Sequence, residues 1–113
     1  MKIDSFNIDI EYNDRRPVTK LILDTSFSKE IRILFRKGQI MKEHSAPFPI
    51  IVHVLKGEID FRLQGISNRL KAGSIVTLED DVLHDLTARE DSIVRLTLSK
   101  MDNPERLEKI AKS

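Results

Sequence analysis

Three histidines are the residues of this 113-residue chain best suited to chemistry, because the sequence contains no cysteine. They are His44, His53 and His84. An imidazole can ligate a divalent metal, form hydrogen bonds with a ligand, or exchange a proton near neutral pH. The lack of cysteine removes disulfides, thiolate nucleophiles and cysteine-based zinc sites. A functional site in this chain is therefore expected to rely on histidine.

Two of these histidines lie within regularly spaced glycines, and the two stretches resemble the two halves of the cupin signature. The first half reads Gly, five residues, His-x-His, three or four residues, Glu, six residues, Gly. The second half reads Gly, five residues, Pro-x-Gly, two residues, His, three residues, Asn. The corresponding residues here are Gly38, His44, Ala46, Ile50 and Gly57, then Gly73, Glu79, Asp81, His84 and Ala88. Gly38, Gly57 and Gly73, which we call the glycine frame, match the signature. His44 and His84 match as well, so residues 38–88 carry the resemblance.

The resemblance implies a double-stranded β-helix, a jelly-roll barrel of two antiparallel sheets with a site at its mouth. It also implies that His44 and His84 lie on neighbouring strands and face each other inside the barrel. Family members with all four ligands hold a metal with three imidazoles and one carboxylate. Here Ala46 and Ile50 stand at two ligand positions and offer no lone pair. We therefore expect no cofactor, and the alternative is an Fe, Mn, Ni or Zn ion held by His44, His84 and an atypical third ligand.

Acidic residues close to the histidines are the candidates for that third ligand. Glu43 and Asp85 are sequence neighbours of the histidines, and the acidic run 79–81 precedes His84. Aspartate tolerates turn conformations, so this run also fits a polar loop at the barrel rim. His53 lies at the opposite strand parity from Ile50 and is predicted to point away from the pocket.

An apolar pocket is predicted around the two outer histidines. Ile50 and Val52 share one face of a predicted strand, so both can line the pocket with His44 and His84. Simple core filling accounts for the two aliphatic residues equally well. The pattern favours a small-molecule-binding domain, non-catalytic or weakly catalytic, with a hydrophobic or amphipathic ligand. The alternatives are a metal-dependent oxygenase or isomerase, and a structural or regulatory protein that acts through its surface.

The elements that must position these residues are short β-rich runs separated by turn residues, which is typical of a sandwich or barrel. Strands are predicted at 18–23, 30–36, 50–55, 58–63, 67–70, 74–78, 82–87 and 92–98. Asn103 and Pro104 are suited to the N-cap and first position of a helix, so a short C-terminal helix is expected at about 104–112. We interpret residues 1–113 as a single domain, with N-terminal strands over 18–36 and core motifs over 38–88.

Composition and charge narrow the set of partners. Charged residues make up 33% of the chain but the net charge is only +1, which favours neither nucleic acid nor an anionic membrane. No apolar run reaches the length of a membrane span or a signal peptide. The cysteine-free sequence suits a reducing cytoplasm. The run from Ile50 to Leu55 is apolar on both faces apart from His53, so we expect a second copy to cover its outer face in a homodimer.

Overall fold

Nine β-strands lie within residues 1–100, the part of the chain that the computed structural model describes. The first five are β1 (Val18–Asp24), β2 (Ser28–Phe35), β3 (Ile40–His44), β4 (Ile50–Lys56) and β5 (Glu58–Leu63). The other four are β6 (Ile66–Lys71), β7 (Ile75–Leu78), β8 (His84–Ala88) and β9 (Ser92–Ser99). They pair antiparallel in two sheets, one in the order β1-β2-β9-β4-β7 and the other in the order β3-β8-β5-β6. The predicted all-β, two-sheet jelly roll is confirmed.

Most strands follow the sequence prediction closely, with one omission that matters for the site. The strand expected from residue 82 begins at His84, and β3, which carries His44, was not among the predicted strands. The predicted C-terminal helix lies outside the described residues. Within residues 1–100, no helix is long and apolar enough to cross a membrane.

The hydrophobic core lies between the two sheets, where alternate side chains of each strand point inward. The five-stranded sheet contributes buried aliphatic residues such as Val52 and Val94, and the four-stranded sheet contributes Ile59, Phe61 and Leu86. Burial of such side chains stabilises the fold by about 1.5–3 kcal/mol each. The sheet faces that meet here therefore fix which side of each strand can form an internal site.

A buried arginine on the outer face of the five-stranded sheet holds the N-terminal segment in place. The Arg32 guanidinium donates hydrogen bonds to the backbone carbonyls of Phe6, Ile8 and Asp9, at 2.7–3.3 Å. Its side chain is on the opposite face of β2 from the core residues Ile33 and Phe35. These bonds compensate the cost of burying the charge, so residues before β1 cover part of this outer face.

The three glycines of the signature frame all occupy turns with positive φ. Their φ angles are 88° at Gly38, 87° at Gly57 and 95° at Gly73. Residues with a Cβ rarely adopt such angles, so glycine is the natural choice at each turn. Gly57 carries a further constraint, because a Cβ there would lie 2.2 Å from Ser92 Oγ. The turns that end β4 and begin β7 are therefore set by the same residues that define the sequence resemblance.

Candidate functional site

Two histidines that are forty residues apart in sequence meet at one end of the barrel interior. His44 ends β3, His84 begins β8, and the two residues are direct partners in the antiparallel pairing of these strands. Their ring centroids are 4.3 Å apart and the ring planes are tilted by 55°. The resemblance to cupins led to this expectation, and we refer to His44 and His84 below as the histidine pair.

A β-bulge in β3 keeps His44 on the inner face. Met41 pairs with Leu86 and His44 pairs with His84, so Lys42 and Glu43 lie together opposite a single residue of β8. Without an extra residue, positions 41 and 44 would face opposite sides of the strand. The bulge restores the parity, so Met41 and His44 both point toward the interior. It also explains why simple alternation does not identify this strand.

Both rings of the histidine pair are fixed by hydrogen bonds to backbone carbonyls two residues earlier. His44 Nδ1 donates to the Lys42 carbonyl at 2.8 Å, and His84 Nδ1 donates to the Val82 carbonyl at 3.0 Å. His84 is only 2% exposed and stacks on Phe61 with centroids 5.5 Å apart. Burial lowers the pKa of His84, and the neighbouring His44 lowers it further, although the bond to Val82 acts in the other direction. His84 therefore favours the neutral form.

The second nitrogen of each ring remains available. Among residues 1–100, no hydrogen bond reaches Nε2 of either ring. Neither Nε2 is among the fully enclosed atoms that lack a partner, although the exposed surface of His84 is small, at 2% of the residue. Both rings thus keep one nitrogen without a partner among residues 1–100, next to the apolar interior.

The other two positions of the family motif lie in the apolar core. Ala46 packs against the core, while Ile50 and Val52 on β4 are 3% and 1% exposed. The histidine pair supplies only two imidazole donors, and no group of three or more His, Cys, Asp or Glu side chains able to hold a metal occurs within the described range 1–100. Catalytic zinc sites generally keep three protein ligands. The residues present therefore do not fit the usual cupin metal centre.

None of the acidic residues considered as a third ligand forms a metal-binding group with the two rings within residues 1–100. Asp85 points to the outer face of the four-stranded sheet, where its carboxylate accepts a hydrogen bond from Arg62 at 2.7 Å. Glu43 is exposed at the bulge. Asp81 forms a turn with a φ of 59°, at the position where the family motif has glycine. Asp85 is therefore engaged in an ion pair on the far side of the strand from His84.

His53 lies on the opposite face of β4 from Ile50, as its parity predicts. It pairs with Arg95 of β9 and Ile75 of β7 on the outer face of the five-stranded sheet. Its Nδ1 is enclosed and has no hydrogen-bond partner among residues 1–100. This third histidine is therefore separate from the histidine pair and provides an internal control for experiments on it.

Sequence reasoning missed an apolar cleft that opens between the edge strands of the two sheets. Its volume is about 340 Å³, within the lower range of small-molecule pockets. We call it the β1–β3 cleft. Its lining consists of Thr19, Leu21, Lys29, Ile31, Ile33, Met41 and Leu96. Met41 precedes His44 on the same strand face, so the cleft begins within about 10 Å of the histidine pair. The sequence pattern did not reveal β3, because its bulge breaks the alternation that would have identified Met41 as an inward-pointing residue.

Comparisons with known proteins agree with this architecture. The model of a family described as "AraC-like ligand binding domain" matches residues 30–112. No curated protein matches this chain significantly.

Several solved structures are similar to the chain. An RmlC-like cupin protein from Desulfovibrio desulfuricans is 24% identical, with 88% of this chain and 96% of that chain covered and a TM-score of 0.81. KdgF from a Halomonas species is 21% identical, with 88% and 94% covered and a TM-score of 0.75. An RmlC-like cupin from Shewanella frigidimarina is 20% identical, with 95% and 96% covered and a TM-score of 0.74. At these identities the likeness establishes the cupin fold alone.

Proposed function

The chain belongs to the AraC-like ligand-binding domain family, and on this basis we propose that it is a small-molecule-binding domain, non-catalytic or weakly catalytic, with its site at the histidine pair. The observation that carries the proposal is that both Nδ1 atoms are bound to the backbone while neither Nε2 atom has a hydrogen-bond partner among residues 1–100. Two oriented polar atoms at the end of an apolar interior are the usual composition of a ligand pocket. In this proposal the aliphatic base of the site is the core cluster itself, to which the predicted pocket residues Ile50 and Val52 belong.

The energetics of the histidine pair support a role beyond filling space. A buried polar group is unfavourable unless it forms hydrogen bonds. Each ring satisfies one nitrogen by a backbone bond, and the other has no partner within the described residues 1–100. An aliphatic residue at His84 would avoid this cost, since the neighbouring core side chains are apolar. A ligand that engages both Nε2 atoms would satisfy the remaining hydrogen-bonding capacity.

A fragment screen followed by histidine NMR tests the proposal. The chain is labelled with ¹⁵N at its three histidines, treated with EDTA and screened against small amphipathic compounds. We expect binders to shift the His44 and His84 signals while His53 is unaffected. His44→Leu and His84→Leu should each weaken binding about fivefold, the equivalent of one neutral hydrogen bond of about 1 kcal/mol. His53→Gln is the matched control and should bind like the wild type. Binders that leave the histidine pair unperturbed would contradict the proposal.

The alternative function is a metal-dependent oxygenase or isomerase that uses His44 and His84 with an atypical third ligand. Its support is the cupin fold, a scaffold that often carries metals, together with the two histidines in the family positions. Against it stands the donor set, since only two imidazoles converge among residues 1–100. Metal analysis of untagged protein, purified without chelator, separates the two functions. Stoichiometric Fe, Mn, Ni or Zn that is lost in His44→Ala would overturn the binding-only proposal.

We also propose that residues 1–113 form a single domain that assembles as a homodimer through the outer face of β4 and β7. Ile51 and Ile75 are 38% and 59% exposed on this face, beside His53, whose Nδ1 has no partner in the described part of the chain. Exposed aliphatic groups grouped on one sheet face are typical of an interface. Light scattering after size exclusion should give a dimer for the wild type and a monomer for the double variant Ile51→Glu, Ile75→Glu. Ile66→Glu, on the other sheet, should remain dimeric.

A further inference from the structure

The hydrogen bonds of the histidine pair define the protonation pattern that a ligand meets. A backbone carbonyl can only accept a hydrogen bond, so Nδ1 of His44 and Nδ1 of His84 must both carry the proton. A neutral imidazole has one N–H, so Nε2 is then an acceptor in both rings. The pair thus presents two lone pairs and no donor.

The two rings cannot satisfy each other in this state, although their centroids are only 4.3 Å apart. Two acceptors have no proton to share, and the adjacent Phe61 ring, which stacks on His84, offers none. Protonating both rings at this distance would bring two positive charges together. Residues 1–100 supply no donor to either Nε2, so a bound molecule can supply both.

The β1–β3 cleft is an apolar space large enough for part of a small molecule, and although neither histidine lines it, it shares the inner face of β3 with His44. Met41, Ile31 and Leu96 line the β1–β3 cleft, and Met41 lies one inward position before His44 on β3. The polar residues of the cleft, Thr19 and Lys29, belong to β1 and β2 rather than to the strands of the pair. A molecule that reaches both regions has an apolar body and a polar end of hydrogen-bond donors.

We propose that the ligand of this site is an amphipathic molecule with two O–H or N–H donors at one end, such as a vicinal diol, and an aliphatic or aromatic body that occupies the β1–β3 cleft. This inference rests on the proposed function and assigns its ligand class. Each donor of the ligand pairs with one Nε2, which is why a single hydroxyl satisfies only half of the pair. A carboxylate is rejected because it would place acceptors against acceptors.

A matched series of three compounds tests the assignment. A phenylpropane vicinal diol, its dimethyl ether and phenylpropanoate share one apolar body and differ in their donors. Binding is measured with EDTA-treated protein at about pH 7.5, above the ordinary histidine pKa of about 6.5. We expect the diol to bind at least about tenfold more tightly than either of the others. Long-range ¹H–¹⁵N spectra should show protonated Nδ1 in His44 and His84 before ligand is added, and shifted Nε2 signals afterwards.

Substitutions on the cleft test the position of the apolar body. Leu21 is 48% exposed at the rim of the cleft, so Leu21→Trp narrows the cleft without altering the core. It should weaken binding of the phenylpropane diol severalfold while leaving the spectra of the unliganded histidines unchanged. Lys20→Trp, at the neighbouring exposed position of β1, is the control and should leave binding unchanged.

The possible outcomes separate this inference from the proposed function. Phenylpropanoate or the ether binding at the histidine pair as tightly as the diol would overturn the donor assignment while the binding function stands. Protonated Nε2 in either free ring would do the same. A fragment screen without any binder at the pair would overturn the binding function, and the ligand class with it.

Discussion

Replacement of Gly57 by alanine tests whether the glycine frame of the signature is a packing requirement or only a turn preference. All three frame glycines have positive φ, and an alanine at such an angle costs about 1–2 kcal/mol. The lower entropy of the unfolded alanine variant offsets about 0.4–1 kcal/mol of this. Gly38→Ala and Gly73→Ala should therefore lower the free energy of unfolding by about 1 kcal/mol each, because no atom lies within 4 Å of the added Cβ.

Gly57→Ala carries an additional steric cost. The added Cβ would lie 2.2 Å from Ser92 Oγ and 2.5 Å from the backbone oxygen of Asp91. Ser92 is fully buried, accepts a hydrogen bond from Glu58 N at 3.1 Å and donates one to the Glu90 carbonyl at 2.8 Å. Displacing it sacrifices two bonds of about 1 kcal/mol each and also shifts the backbone. The total loss should be about 3–5 kcal/mol.

Urea unfolding followed by far-UV circular dichroism measures these losses in a chain that has no tryptophan. The double variant Gly57→Ala, Ser92→Gly removes the hydroxyl that the new methyl would strike, so it should recover about 1–2 kcal/mol relative to the sum of the single variants. Equal losses at Gly38, Gly57 and Gly73, or strict additivity of the Gly57 and Ser92 changes, would refute the packing argument.

Three further predictions concern residues near the site or on the outer face of the five-stranded sheet. Asp81→Gly should raise the free energy of unfolding by about 0.5–1 kcal/mol in a urea titration, because it relieves a positive φ at an exposed turn; a loss of stability would show that the Asp81 side chain matters. Burial lowers the pKa of His84, so on acidification the unfolded chain protonates this histidine before the folded chain does. The free energy of unfolding that depends on neutral His84 is present above about pH 6.5 and is lost as the pH falls below it. Acid unfolding should therefore show a less steep loss of stability in His84→Leu. Burial raises the pKa of Glu30, but hydrogen bonds from Thr97, Arg95 and Ser28 lower it overall. Glu30→Gln should therefore lower the free energy of unfolding by about 1–3 kcal/mol at neutral pH. Its difference from the wild type should shrink below about pH 4.5, where the carboxylate becomes protonated.

The fold was accessible from the sequence because several independent signals agree. Strands with apolar alternation, such as β2 and β5, have one buried face, and their bounds match the prediction within two residues. The glycines of the frame mark turns that only an unusual φ can form. Such local requirements leave a direct trace in single residues, which is why the barrel could be inferred without a structure.

The geometry around the histidines was harder to infer, because it depends on register rather than on residue type. The bulge in β3 adds one residue between Met41 and His44, so alternation fails at the strand that carries half of the site. Edge strands such as β3 also have exposed positions that weaken their apolar pattern. The meeting of the rings was therefore inferred from the family resemblance, and the sequence alone did not locate the strand.

The lining of the pocket shows a second limit of pattern reasoning. Parity correctly places Ile50 and Val52 on the inner face, but it cannot distinguish a wall of a cavity from packed core. Both residues belong to the core cluster, while the β1–β3 cleft is lined by Met41 and by residues of β1, β2 and β9. Cavities arise where two sheets separate, and that separation depends on tertiary packing of strands distant in sequence.

A crystal structure of the protein soaked with the phenylpropane vicinal diol tests the central claim most directly. We predict one hydroxyl oxygen within about 2.7–3.0 Å of each Nε2 of His44 and His84, with the phenyl group in the β1–β3 cleft beside Met41. The Nδ1 bonds to the Lys42 and Val82 carbonyls should persist. Diol bound elsewhere, with the two Nε2 atoms joined to protein groups or to a tightly held metal ion, would contradict the account.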